Sequence, residues 1–165
     1  ANFSRMTAAQ FAAYNDFYNP IRSEYFKENL SGKELAKWKF QRYMRDYLST
    51  VKSMDKNIGR MLDYLEKHNL KDNTIIIYLS DQGFYMGEHG WFDKRWMYEE
   101  SFRTPMIVSY PKLFPKGTTN DDFVLNIDLA PTFLELAGVK VPEDIQGKSF
   151  LSLFAKKAKP IRNQL

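Results

Sequence analysis

Hydrophobic residues recur at intervals of three and four along the stretch from Glu34 to His68. Lys, Arg, Asp and Glu fill the positions between them, so the stretch has one apolar face and one charged face. Residues three and four apart lie on the same side of an α-helix, and this pattern is typical of an amphipathic helix. The spacing predicts one long helix over 34–68, whose apolar face contains Tyr43, Tyr47, Val51, Met54, Ile58, Met61 and Leu65.

Two short apolar runs follow this helix. β-Branched and aromatic residues fill positions 74–78, and a second apolar run extends from Met106 to Tyr110. Runs of this length and composition predict strands, and the β-branched and aromatic residues of the first run fit a strand that is covered on both faces. A helix that leads into a buried strand is half of a βαβ unit, so the pattern favours an α/β fold.

A further helix is predicted between Asp128 and Gly138. Asp128 is a good N-cap residue, Pro131 lies in the first turn where a missing N–H costs little, and Gly138 is suited to the position just past the helix end.

The remaining sequence divides the chain into three parts. Residues 1–33 are predicted to be a loop-and-helix excursion with only short helical stretches such as Ala8 to Tyr14, and 34–154 form the main body. Residues 155–165 form a basic tail that is expected to be mobile. Two strands are too few for an independent parallel sheet, so we expect the chain to be the C-terminal part of a larger α/β domain.

Composition excludes several classes of function. The 165 residues carry a formal net charge of +4, but the basic residues are dispersed, so nucleic acid is not an expected partner. No apolar run approaches the roughly 20 residues of a membrane-spanning helix, so no span is predicted. The chain has no cysteine, which excludes thiolate metal ligands and a cysteine nucleophile within these residues.

Polar side chains gather where the first predicted strand ends. Asp81 supplies a carboxylate and Gln82 an amide oxygen, and both are donors that Ca²⁺ or Mg²⁺ prefers. Gly83 permits the backbone to bend out of the strand, so that neighbouring side chains can reach one ion. Two ligands do not complete the shell of such an ion, and the same triplet also fits a simple turn that Asp81 caps.

Two basic residues follow in the same segment. Glycines flank the pair Glu88 and His89, so that the imidazole can approach a ligand closely, and Lys94 lies among aromatic residues where it can neutralise an anionic group. Each residue taken alone also fits a surface turn. Glu99, Glu100 and Arg103 are expected to form a salt-bridged helix start.

Separate blocks of the sequence agree in order with one enzyme family. They resemble the C-terminal half of the type I sulfatase catalytic domain, in the alkaline phosphatase superfamily, through YLSTVKSMDKNIGRMLDYLEKHNLKDNT, NTIIIYLSDQGFYMGEHGWFDKRWMYEESFRTPMIVSYP and NIDLAPTFLELAGVKVPEDIQGKSFLSLF. The resemblance covers residues 40–154 and is nearest to bacterial sugar sulfatases similar to N-acetylglucosamine-6-sulfatase. It implies the C-terminal portion of an alkaline-phosphatase-like sandwich, a mixed sheet flanked by helices, which is incomplete in this chain.

The resemblance also implies roles for individual residues. Asp81 and Gln82 correspond to calcium ligands, Lys94 to the lysine that contacts the sulfate ester, and His89 to a residue near the sulfate or the leaving group. The family's nucleophile is a formylglycine made within a C/S-x-P/A-x-R motif, and neither this motif nor the early paired aspartates of the calcium shell occur here.

The implied parent protein is a sulfuric ester hydrolase that acts on sulfated carbohydrates of the glycosaminoglycan type. The chain alone is expected to be inactive and to need the remainder of its own catalytic domain as a partner. Relatives of this kind are commonly periplasmic or secreted.

Two other interpretations stay open. A phosphomonoester or phosphonate hydrolase of the same superfamily would share the strand-end ligands, although such enzymes often use several histidines and this chain has only two. A non-catalytic sugar-binding or regulatory module would keep the rim of the fold without its chemistry.

Overall fold

A computed structural model describes residues 3–154 and 160–162 of the chain. The chain groups into two compact units, Ala1–Asn57 and Ile58–Leu165. The boundary expected between residues 33 and 34 falls next to the start of the second helix instead of between these units. The three-part division therefore stays a prediction.

The first helix, α1, spans Ala8–Glu28 and is much longer than the short stretch predicted for this region. Its start is fixed by a capping box, because Thr7 Oγ1 accepts from Gln10 N at 3.3 Å and Gln10 Oε1 accepts from Thr7 N at 2.9 Å. The helix continues through Pro20, although proline cannot donate its backbone hydrogen bond there. The prediction of only short helical stretches in this region was wrong, because the capped start at Thr7 is followed by a single helix of 21 residues.

The second helix, α2, spans Gly32–Lys67 and confirms the helix predicted over 34–68. Asn69 ends it in a left-handed conformation with φ of 57°, and Leu70 N donates back to Leu65 O at 2.8 Å. Within the first unit, Tyr25 of α1 packs on Trp38 of α2, with 5.1 Å between ring centroids.

The predicted apolar face of α2 is not covered by the residues that the structure describes. No residue of α1 or α2 is buried, and Met61 on the predicted face is 68% exposed. These helices therefore expose apolar surface that the rest of the described chain does not cover.

The strands form two small antiparallel ladders. Strand β1 (Ile76–Leu79) leads to a second pair made of β2 (Tyr85–Met86) and β3 (Phe92–Asp93). Helix α3 (Glu99–Phe102) comes next, and β4 (Met106–Ser109) then returns to pair with β1, with Ile76 opposite Ser109 and Leu79 opposite Met106.

This topology confirms the positions of the two predicted strands. Both strands occur where the sequence predicted them, and they pair with each other antiparallel, because the segment between them brings the chain back at one end of the sheet. The helix α2 leads into β1 as expected for half of a βαβ unit, and the strand that would complete this unit stays a prediction. No residue of β1 is fully buried, so the cover expected on both of its faces is not supplied by the described residues. The chain nonetheless combines helices with small antiparallel sheets, as expected for a partial α/β domain.

Helix α4 spans Leu129–Leu136 and ends as predicted. Gly138 has φ of 70°, its N–H donates to Glu135 O at 3.0 Å, and Val139 N donates to Leu134 O at 2.9 Å, which together form a Schellman motif. Its start differs from the prediction, because the Asp128 carboxylate makes no capping bond to α4 and bonds to other segments of the chain.

The buried centre of the second unit is small. Its hydrophobic residues are Tyr85, Phe114, Phe150 and Leu153, and Phe114 stacks on Phe154 with 3.9 Å between centroids.

Part of the predicted mobile tail is held in place, because Arg162 forms an ion pair with Asp128, which is buried in the second unit. That part of the prediction was wrong, and residues 155–159 and 163–165 lie outside the described part of the chain.

Candidate active site

The backbone leaves strand β1 at Ser80 and bends through Asp81 and Gln82. Ser80 Oγ donates to Gln82 O at 2.8 Å and lies 3.4 Å from Asp81 Oδ1. The carboxylate of Asp81 is exposed and Gln82 is half-buried. Because the segment is bent, these neighbouring side chains are not forced to opposite faces as strand residues are. We call residues 80–83 the strand-end loop.

Gly83 is required by a close approach of two backbone segments. Gly83 N donates to Ser101 O at 2.8 Å, and a Cβ atom on Gly83 would lie 2.0 Å from the Glu100 carbonyl oxygen. No other residue fits this contact without a shift of α3. The sequence located this glycine correctly, but its role is contact with α3 as well as freedom to bend.

Helix α3 also contacts the segments of the other two predicted site residues. The Glu100 carboxylate lies 3.3 Å from His89 Nε2, and Ser101 Oγ donates to the Lys94 carbonyl at 2.6 Å. Consecutive residues of α3 thus join the strand-end loop, His89 and the backbone of Lys94. The structure brings the segments of all four predicted residues to this short helix.

The predicted salt bridges of α3 are partly confirmed. Glu99 pairs with Arg103 at 3.4 Å, as expected for a salt-bridged helix, while Glu100 turns toward His89. The pairing of Glu100 with His89 could not be predicted, because these residues are 11 positions apart and belong to no common element.

His89 lies against a cluster of aromatic rings. Its ring stacks on Tyr98 at 4.7 Å between centroids and meets Tyr85 edge-on at 6.1 Å, while 42% of its side chain stays exposed. Tyr85 is completely buried, and its hydroxyl donates to Trp96 O at 2.7 Å and accepts from Tyr98 N at 3.2 Å. One edge of the imidazole is therefore fixed by rings and Glu100, and the rest faces solvent.

The loop before His89 is held by a carboxylate. Glu88 Oε2 accepts from Met86 N at 2.6 Å, and this backbone hydrogen bond lowers the pKa of Glu88 below its ordinary value. Glu88 thus stays ionised and serves the local backbone, which leaves Glu100 as the carboxylate that faces His89.

Lys94 is exposed, and its neighbours neutralise each other. Asp93 and Arg95 form an ion pair at 2.6 Å, and this hydrogen bond lowers the pKa of Asp93 and raises that of Arg95. Within residues 3–154 and 160–162, the Lys94 ammonium takes part in no ion pair. Its positive charge is therefore available to an anion.

The strand-end loop fits a hard cation by its donor chemistry. Asp81 offers an exposed carboxylate and Gln82 an amide oxygen, and Ca²⁺ takes such oxygen ligands. The described residues contain no group of three or more His, Cys, Asp or Glu that could hold a metal ion. The loop can contribute two protein ligands, and further ligands would have to come from outside the described residues.

Comparisons with known proteins identify the family. Residues 87–165 match the family model described as N-sulphoglucosamine sulphohydrolase, C-terminal. The chain is also 52% identical over 157 residues to an N-acetylglucosamine-6-O-sulfatase of Bacteroides thetaiotaomicron, a match that covers 95% of this chain and 28% of that protein. The chain belongs to the sulfatase family. The resemblance to sugar sulfatases that the sequence indicated is thereby confirmed.

Other relatives support the same assignment. An extracellular sulfatase SULF-1 homolog of Drosophila melanogaster is 34% identical over 121 residues, which cover 73% of this chain and 11% of that protein. Homologues thus include extracellular sulfatases, and no helix among the described residues has the length and hydrophobicity to cross a membrane.

Solved structures give the fold. One protein, solved in complex with its substrate D-glucosamine-2-N,6-O-disulfate, matches with a TM-score of 0.85 and 52% identity over 95% of this sulfatase-family chain and 32% of its own. A phosphonate monoester hydrolase from Silicibacter pomeroyi matches with a TM-score of 0.71 and 26% identity over 83% of this chain and 26% of its own. The chain spans about a third or less of the relatives that it matches.

Proposed function

We propose that the chain is the part of a sugar sulfatase that stabilises charge during hydrolysis of a sulfate ester on glucosamine-type sugars. The observation that carries the proposal is the contact of α3 with three segments, which gathers the strand-end loop, His89 and Lys94 around one short helix. The similarity to a protein solved with a disulfated glucosamine supports the substrate class.

Each residue has a chemical role in this proposal. Asp81 and Gln82 would hold calcium, which when bound supplies positive charge to the oxygens of the sulfate group. The ammonium of Lys94 binds the same anionic group and offsets the negative charge that develops on it. His89, held by Glu100, would donate a proton or a hydrogen bond to the oxygen of the leaving sugar.

The attacking group would be a formylglycine supplied by the remainder of the catalytic domain. No Cys or Ser in a C/S-x-P/A-x-R motif occurs in this chain. Activity would therefore require the complete protein, and the compartment proposed for it is periplasmic or extracellular, as for the extracellular relatives.

The test is the substitution Lys94→Ala in the complete protein. We expect kcat for a 6-O-sulfated glucosamine to fall by about 10²- to 10³-fold, because an electrostatic contact to the reacting group is lost. The melting temperature should hardly change, since the side chain is exposed and forms no ion pair with the described residues. Lys140→Ala is the matched control, because Lys140 is also exposed and its ion pair within the described part of the chain is with Glu143, at 3.8 Å. Unchanged turnover in Lys94→Ala would remove Lys94 from the site.

Phosphonate or phosphate ester hydrolysis is the second candidate, and the similarity to a phosphonate monoester hydrolase favours it. Sulfate and phosphonate ester hydrolysis are distinguished by measuring kcat/KM of the complete protein, without substitutions, for matched sulfate and phosphonate esters. A preference for the phosphonate ester would reverse the assignment, and no hydrolysis of either would favour a binding module.

A further inference from the structure

Asn126 makes a long-range hydrogen bond to the strand-end loop. Its Nδ2 donates to the backbone carbonyl of Asp81 at 3.0 Å, across 45 residues of sequence. A carbonyl oxygen can only accept, so the amide must present its NH₂ group here. The bond holds the peptide unit from which the Asp81 carboxylate extends.

Asn126 belongs to a turn, Asn126–Asp128, that is anchored by a buried carboxylate. Asp128 is completely buried and accepts from Leu125 N at 2.8 Å, Lys148 N at 2.8 Å and Arg162 Nη2 at 2.6 Å. The Arg162 side chain is only 9% exposed. A buried carboxylate with three donors, one of them charged, is fixed in a single geometry.

Two further contacts immobilise the same turn. Thr132 Oγ1 donates to Asp128 O at 2.6 Å and accepts from Phe150 N at 3.1 Å. A Cβ atom on Gly147 would lie 2.0 Å from Ile127 O, so the segment 147–150 packs directly against the turn. Asn126 therefore projects from one of the most constrained parts of the second unit.

From this placement we propose that Asn126 is a positioning residue for the metal ligand Asp81, with the Asp128–Arg162 pair as its rigid support. The inference rests on the proposed function, in which Asp81 binds calcium. In this proposal Asn126 acts through the Asp81 backbone and is not itself a ligand of the metal. It restricts the backbone at Asp81, so less conformational freedom is lost when the carboxylate coordinates the ion.

The test is calcium titration of the complete protein by calorimetry, with Asn126→Ala and Asn126→Leu. The alanine variant removes the whole amide, and the leucine variant keeps a similar volume without a donor and adds no charge near the cation. We expect both to raise the Kd for calcium by about tenfold or more. Hydrolysis should fall at limiting calcium and return toward the unmodified level at saturating calcium, since the bound site is unchanged once filled.

Asn120→Ala is the matched control and should leave the Kd unchanged. Among the described residues, the Asn120 side chain accepts one hydrogen bond, from Asp122 N at 2.8 Å. Asp81→Ala is the reference for complete loss of the ligand. If Asp81→Ala leaves calcium binding intact, the metal role in the proposed function fails and the positioning role fails with it.

If Asp81→Ala weakens calcium binding but both Asn126 variants bind calcium with the same Kd as the protein without substitutions, only the positioning role is overturned. A lower melting temperature in the Asn126 variants with an unchanged Kd would also overturn it, because Asn126 would then serve the fold alone.

Discussion

At the scale of single residues, His89 is unusual because it adopts a left-handed backbone conformation. Its φ is 59° and its ψ is 13°, a region that costs non-glycine residues about 1 to 2 kcal/mol. Stacking on Tyr98 and the contact with Glu100 hold the residue there. Strained residues that are held in this way cluster at functional sites, which supports a role for the imidazole in the reaction.

The pairing of His89 with Glu100 predicts non-additive kinetics. His89→Ala in the complete protein should lower kcat by about 10²-fold if the imidazole assists the leaving group. Glu100→Gln should lower kcat less, and the double variant should be no slower than His89→Ala, because Glu100 acts through His89. Steady-state kinetics of the three variants measure this coupling.

Glu99→Gln is the matched control, since Glu99 pairs with Arg103 instead. Additive losses in the double variant would show that the two residues act independently.

Four residues of the candidate site could be located from sequence because their signals are local. Asp81 and Gln82 follow a strand, and His89 and Lys94 lie in a glycine- and aromatic-rich loop. Glu100 and Asn126 could not be found, because their partners lie 11 and 45 residues away and only the fold brings them together. The roles of all these residues stay predictions until variants are measured.

At the scale of elements, the four-residue helix α3 contacts every segment that carries a predicted site residue. It is too short to be stable alone, and it is held by bonds to the strand-end loop and to the Lys94 backbone. A shift of α3 would move the strand-end loop and the Lys94 backbone, and a shift of either segment would move α3.

Gly83→Ala is predicted to separate α3 from the strand-end loop. A methyl group 2.0 Å from the Glu100 carbonyl forces the two backbones apart, so kcat and the melting temperature should both fall. Gly117→Ala is a suitable comparison, because Gly117 has φ of 67° and open space around it. That variant should lose about 1 to 2 kcal/mol to backbone strain and keep its kcat. If Gly83→Ala retained full activity, the close approach would have no importance for the site.

Element prediction succeeded where the hydrophobic period was long and regular. The 36-residue α2 follows from the spacing of its apolar residues, and the end of α4 follows from Gly138. The helix α1 was missed because Pro20 and several Asn and aromatic residues argue against it locally. The antiparallel pairing of β1 with β4 was missed because a strand pattern carries no information on direction.

At the scale of the whole chain, the C-terminal residues of the described structure are integral to its centre. Arg162 reaches Asp128 across 34 residues, and Lys148 Nζ donates to Ile161 O at 3.1 Å. The basic composition of residues 155–165 predicted a mobile tail, since sequence alone does not reveal a buried carboxylate that needs a counter-charge. A charged residue near a domain's end is thus not evidence of mobility.

Arg162→Ala is predicted to destabilise the complete protein strongly. Removing Arg162 leaves the buried negative charge of Asp128 without a counter-charge. Such a loss typically lowers the free energy of unfolding by about 3 to 5 kcal/mol. Arg162→Lys keeps the positive charge and should lose less. Denaturant unfolding followed by circular dichroism compares the two. Equal stabilities of Arg162→Ala and the unmodified protein would show that the pair contributes nothing to folding.

The sheet of β1 and β4 carries a consequence for the chain in solution. Each of these strands pairs with the other along one side only, and no further strand of residues 3–154 and 160–162 hydrogen-bonds to either of them. Ile107 on β4 is 63% exposed, so the free sides combine unpaired backbone groups with apolar surface. Such edges are templates for intermolecular strand addition, which makes the separated chain prone to aggregation. Its solubility, with and without a polypeptide that supplies neighbouring strands, would report whether the sheet has been completed.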